Sequence, residues 1–253
     1  MQTNTKDTGK YERPSIETPT GRVYVYVDGF NFYHATKDTE AYPYGWCNWF
    51  LTAQNYCGRS RRVVGLKYFT SLISTNDEEK KRRQALHLAA METIGKIVRG
   101  RFVQRERQCR QCGFLEQFHR EKTTDTNIAV HMVLDAAMNR YDEAFLVTAD
   151  MDLLPAVEAV TDPNLFRRPR TVTVLFPPHA DSSSEFRAAL DSLGASVRQI
   201  EMRVANIVRF PVELAATLGY EFPAHWALGS SGPPVASPRS NIRSAELQRT
   251  RRR

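Results

Sequence analysis

The chain predicts an α/β fold built on a mainly parallel sheet, and three observations predict it. Short β-prone segments alternate with helix-like ones along most of the sequence. Two of the strand segments run directly into aspartates, as V-Y-V-Y-V-D at 23–28 and A-F-L-V-T-A-D-M-D at 144–152. The segment N-I-A-V-H-M-V-L-D-A-A-M at 127–138 is apolar nearly all round, as expected of a helix lying deep against a sheet. Alternation of this kind argues for a parallel sheet covered by helices.

Taken in order, β-branched and aromatic content predicts strands at 23–27, 63–69, 102–105, 144–148, 171–176 and 196–200. Helices are expected at 48–55, 77–98, 126–139, 153–160 and 184–193. The second helix carries a start signal, because Thr75 and Glu78 stand at capping-box spacing. Its apolar face (Ala85, Leu88, Ala89) is interrupted by Glu92, the pattern of a half-exposed helix.

The elements fit one domain over 21–228, with a less regular end after residue 203. A polar leader containing Pro14 and Pro19 occupies 1–20, and a Ser/Pro/Arg-rich tail, expected to be disordered, occupies 229–253. No internal repeat is evident.

A chain of 253 residues, 42% hydrophobic and 25% charged, has the composition of an ordinary globular protein. The net charge of +7, from 35 basic and 28 acidic residues, suits a polyanionic partner such as RNA. No run reaches the roughly 18 apolar residues that cross a bilayer, so no membrane association is expected. The first residues lack a secretory apolar core. With that, four cysteines at 47, 57, 109 and 112 point to a reducing cytoplasm. Neither G-x-G-x-x-G nor a Walker A lysine loop occurs, which argues against a nucleotide-binding α/β protein.

The chemistry lies in the aspartates. In an open parallel sheet, ligands bind outside the carboxyl ends of the strands, where the connections reverse direction. Asp28 and the pair Asp150 and Asp152 both sit at such ends, and Asp125 sits at the entrance of the apolar helix. If the first and fourth strands are neighbours, these acids converge. Crowded carboxylates repel one another, and a hard divalent cation, Mg²⁺ or Mn²⁺, is the natural compensation. Each residue also has a bland reading. Asp28 before Gly29 suits a turn, Asp150 or Asp152 suits a helix cap, and Asp125 suits a first helical turn.

The segments V-D-G-F-N-F, E-K-T-T-D-T-N-I-A and V-T-A-D-M-D-L-L-P, in this order, resemble the NYN family, a PIN-like group of predicted ribonucleases. The resemblance implies a Rossmann-like, PIN-type three-layer sandwich, an acidic Mg²⁺/Mn²⁺ site and cleavage of RNA. It carries Asp28, Asp125, Asp150 and Asp152 over as the catalytic, metal-binding set. Asn31, Lys122 and Thr148 become substrate-side residues. Relatives commonly read S-G-D-x-D-F where this chain has T-A-D-M-D-L, so Ala149 replaces a glycine.

Other features carry weaker signals. Asn127, His131 and Asp135, spaced by four, form a polar stripe on one helix face, read as packing or subunit contact. Tyr24, Phe30, Phe32 and Tyr33 offer rings for base stacking, although most aromatics in such strands are core. Cys109 and Cys112 have the C-x-x-C spacing of half a zinc knuckle, in a basic insertion near 106–120. Cys47, Cys57 and His119 are candidates for the missing zinc ligands, and a homodimer pooling two pairs is another route. The expected function is a metal-dependent ribonuclease. The alternatives are a non-catalytic RNA-binding or regulatory module, and a phosphatase-like hydrolase.

Overall fold

The computed structural model describes residues 20–36, 46–73, 75–108, 112–178, 180, 183–201 and 208–226. Side chains are described for these residues except 101–108, 116–122 and 225. The expected tail, and all of the expected leader except Thr20, lie outside the described residues.

The strands are β1 (Gly21–Asp28), β2 (Arg61–Thr70), β3 (Lys96–Arg99), β4 (Arg101–Gln108), β5 (Leu115–Lys122), β6 (Glu143–Val147), β7 (Thr171–Phe176) and β8 (Ser196–Gln199). Six of them make one all-parallel sheet in the order β3-β2-β1-β6-β7-β8. The helices are α1 (Gly29–Thr36), α2 (Trp49–Cys57), α3 (Glu78–Glu92), α4 (Thr124–Ala137), α5 (Leu154–Thr161), α6 (Ser184–Ser192) and the short α7 (Glu213–Thr217).

Strand alternation sends side chains to both faces of the sheet, and both faces are covered. Val23, Val25 and Val27 pack with Trp49, Leu86 and Met91. Tyr26, on the opposite face, packs with Ile128, Met132, Val157 and Phe186. Burial on two sides is what parallel strands require, and it produces the three layers. The segment after β8 closes the first face. There Phe210 N–H donates to the Trp46 carbonyl at 3.0 Å, and the Trp46 and Trp226 rings stack 5.5 Å apart.

The sheet departs from the sequence reading in two places, and one helix cap does as well. The expected strand at 102–105 is real but belongs to a separate antiparallel hairpin of β4 and β5. Its place at the sheet edge is taken by β3, from residues assigned to the end of a helix over 77–98. Helix α3 stops at Glu92, and Gly95 lets the chain pass against β2, since a Cβ there would lie 2.7 Å from the Leu66 carbonyl oxygen. The cap also differs. Asp77 accepts from Lys80 N–H at 3.0 Å, while the Thr75 hydroxyl accepts from Asp77 N–H at 3.2 Å.

From β1 the chain steps outward through β2 to β3; from β6 it steps the other way through β7 to β8. The reversal therefore falls between β1 and β6, as the neighbouring of the first and fourth expected strands required. A crevice outside the carboxyl ends of these two strands is where such sheets hold ligands.

Candidate functional site

At the end of β1 the Asp28 carboxylate is buried, 3% exposed, and is built into its surroundings on both oxygens. Oδ1 accepts from Asn31 N–H at 3.0 Å, the bond of an acid serving the first turn of a helix, here α1. Oδ2 accepts from the Thr148 hydroxyl at 3.3 Å. So Asp28 leads into a helix, and a hairpin turn is excluded by the parallel pairing of β1 on both sides.

Gly29 makes this junction possible. A Cβ there would stand 2.3 Å from Cζ of the buried Tyr68 ring. Gly29→Ala is expected to cost about 1–3 kcal/mol by overpacking, read as a lower denaturation midpoint with an unchanged slope.

The loop after β6 is pinned from the same side. Ala149 N–H donates to Asn31 Oδ1 at 3.0 Å, and Asp150 N–H donates to Thr148 Oγ1 at 3.1 Å. Asp150 then caps the short 3-10 turn Met151–Leu153 by accepting from Asp152 N–H at 3.0 Å. Ala149 is not among the positive-φ residues, so this loop does not need a glycine at that position.

Asp125 arrives from the other direction, on the first turn of α4. The residue that swings the chain into this helix, Thr123, has φ 80°, a left-handed conformation that a β-branched side chain adopts only under strain. Such strain costs on the order of 1–3 kcal/mol and gathers at functional sites.

Asp125, Asp150 and Asp152 thus converge, and one carboxylate oxygen from each lies within 4.8 Å of the others. Although Asp125 is exposed, desolvation at the crowded site, followed by the charges of Asp150 and Asp152, pushes its carboxyl above its ordinary value of 3.8. The donors are all oxygens and the charge is concentrated, which fits a hard divalent cation better than a soft one. Because folded Asp125 holds its proton more tightly than the unfolded chain does, its contribution to stability falls as pH rises through that raised range. Above it the cost remains in full. Asp125→Asn is therefore expected to raise the melting temperature of the metal-free protein at neutral pH and to leave it little changed well below pH 3.8, as followed by calorimetry.

The remaining expected site residues are placed as follows. Asp28 lies outside the group of three and is joined to it through Thr148. Thr148 itself is completely buried, with its hydroxyl bonded on both sides. Such a hydroxyl positions the loop and is not available to touch substrate. Asn31 holds the loop through Ala149. Lys122 ends β5, two residues before α4, and its side chain is not among those described.

Cys109 lies outside the described residues, as does the side chain of His119, while Cys112 is exposed. Cys47 and Cys57 do not fit the role of completing a zinc site. Both are buried in the core, and burial pushes their thiols up to about 12 and about 11, disfavouring the thiolate that ligates metal.

The sequence reading named the polar stripe on α4 but missed its partner on the sheet. Lys67 of β2 is buried, and its ammonium meets Asp135 Oδ2 and lies 3.1 Å from His131 Nδ1. Tyr26 donates to Asp135 Oδ2 at 2.9 Å, and Arg140 donates to Oδ1 at 2.8 Å. The stripe on α4 thus packs onto the sheet. A lysine inside the apolar run of β2 was the available signal.

The NYN domain model matches residues 22–202, most of the chain and all three aspartate segments. This chain belongs to the NYN domain family. The NYN domain accordingly has a PIN-like nuclease fold with an acidic cluster at the sheet's switch point. One similar solved structure is that of a protein of unknown function from Vibrio parahaemolyticus. It is 21% identical, with a TM-score of 0.46, over 72% of this chain and 94% of that one. None of the curated proteins compared with the chain matches it. No helix among the described residues is long and apolar enough to cross a membrane.

Proposed function

We propose that this NYN domain is a divalent-metal-dependent endoribonuclease that hydrolyses RNA phosphodiester bonds. The observation that carries the reading is the meeting of Asp125, Asp150 and Asp152 within 4.8 Å, at the switch point of a nuclease-like sheet. A Mg²⁺ or Mn²⁺ ion bound there supplies a water of lowered pKa and offsets charge on the phosphodiester. The protein's own contribution is placement. The three aspartates would hold the ion, while Asp28, Asn31 and Thr148 fix the loop that carries two of them. The net positive charge of the chain favours a polyanionic strand, and Lys122 is the cation nearest to Asp125 in sequence on the hairpin side.

Labelled single-stranded RNA incubated with the protein and Mn²⁺ is expected to be cut, and EDTA to stop the cutting. Binding without cleavage under both conditions would favour the non-catalytic RNA-binding reading. Phosphate release from small esters, with RNA intact, would favour the phosphatase-like one. Mn²⁺ affinity, measured by titration calorimetry, should weaken as pH is lowered. The weakening should begin above the range of an ordinary aspartate, because the proton on Asp125 competes with the ion.

A further inference from the structure

We propose that the cavity between α1 and α3 receives one unstacked base of the strand that enters the acidic site, an inference that rests on the nuclease reading above. The cavity has a volume of about 390 Å³, within the roughly 300–1,000 Å³ of small-ligand sites. Phe30 and Tyr33 of α1, Tyr68 of β2, His87 of α3 and Trp49 of α2 line it. Tyr33 is 50% exposed, a large ring half in water at the cavity's edge.

The chemistry of the lining favours a base over a purely apolar guest. Inside an aromatic wall, the Tyr68 hydroxyl and His87 Nε2 lie 3.0 Å apart, a donor-acceptor pair suited to a base edge. On the α3 side the lining includes Lys80 and Arg83, paired with Asp77 and Glu79. The Lys80–Asp77 pair is exposed on both sides, and such pairs are weak, so a phosphate flanking the base can exchange into it. The excess of positive charge over the whole chain acts in the same direction.

One helix links the cavity to the loop of the acidic site: Phe30 of α1 lines the cavity, and the next residue, Asn31, accepts from Ala149 N–H beside Asp150. Gly29, which lines it, follows Asp28 directly, and the Tyr68 ring occupies the space a Cβ would need. With a phosphate at the aspartates, the base beside it would lie against Phe30 and Tyr33. Stacking on such rings tolerates any base, because every base presents a π-face.

The test is fluorescence anisotropy with a labelled single-stranded RNA in EDTA, comparing wild type and Tyr33→Ala. An abasic strand of equal length and a nucleoside monophosphate serve as further probes. The half-exposed position of Tyr33 makes its loss tolerable to the core, and a melting curve verifies folding. The expected result is an affinity loss on the order of tenfold for Tyr33→Ala with RNA, and almost none with the abasic strand. Equal affinities for RNA in wild type and Tyr33→Ala, or an equal loss on the abasic strand, would overturn the proposal. So would a monophosphate that binds the cavity without displacing RNA. If wild type cuts RNA while Tyr33 proves irrelevant, the base site alone fails. If RNA binding depends on Tyr33 in a protein that never cuts, the nuclease reading alone fails.

Discussion

Asp135→Ala is expected to cost about 3–5 kcal/mol of folding stability, the cost of breaking a buried ion pair by removing one partner. Lys67 and Asp135 are only 3% and 1% exposed, and Asp135 also accepts from Tyr26 and Arg140. Deleting it leaves an ammonium buried, a phenol without its acceptor and a helix without its tie to β1 and β2. Domains of ordinary stability hold roughly 5–15 kcal/mol in all, so the variant stands near its unfolding threshold at 25 °C.

A pH dependence separates this cause from simple loss of packing. Burial already holds the Lys67 ammonium below its ordinary value, and the hydrogen bond and charge of Asp135 oppose that shift. Without Asp135 the folded-state value drops further. The unfolded chain then binds the proton over a wider range than the folded one, and stability rises with pH until the unfolded value, near 10.5, is passed. Urea midpoints of Asp135→Ala should accordingly increase from pH 7 toward 10, more than those of the wild type. Replacing both partners, as Lys67→Met with Asp135→Leu, should restore much of the loss, because no charge remains to be buried. A single variant as stable as the wild type would show that the pair contributes nothing.

Asp150→Asn is expected to reduce metal-dependent RNA cleavage on the order of a thousandfold. Charge stabilisation at a metal centre is worth several kcal/mol, and each 1.36 kcal/mol, roughly, is tenfold in rate. The substitution is nearly isosteric, and asparagine caps as well as aspartate does. The bond from Asp152 N–H at 3.0 Å can therefore persist, and the loop keeps its shape. Removing one of three crowded charges also relieves repulsion, so the apo variant should melt no lower than the wild type. Lost cutting with retained folding is the signature of a working site. Unchanged cutting in Asp150→Asn would remove the aspartate group from the mechanism.

Much of this architecture was legible in the chain because parallel strands buried on both faces are written as apolar runs. The expected strands at 23–27, 63–69, 144–148 and 171–176 each fall within one residue of an observed strand. Local period failed where the segment was short or polar. The stretch K-I-V-R of β3 is too brief to distinguish strand from helix end, and it is strand because β2 offers a free edge. The residues of β5, L-E-Q-F-H-R-E-K, show no apolar alternation and are held extended by pairing with β4. Helix α1, rich in aromatics and glycine-led, went unforeseen, although Asp28 and Asn31 mark its start.

The sequence by itself determined that acids stand at the ends of two strands and at the mouth of one apolar helix, because hydrophobic patterning fixes where each element begins and stops. Only the tertiary structure decided which acids meet. It gathered Asp125, Asp150 and Asp152, and it turned Asp28 inward to hold Asn31 and Thr148. It likewise drew His131 and Asp135 onto Lys67. Side-chain roles of this kind depend on the order of strands and on burial, and those are settled by long-range packing rather than by neighbours along the chain.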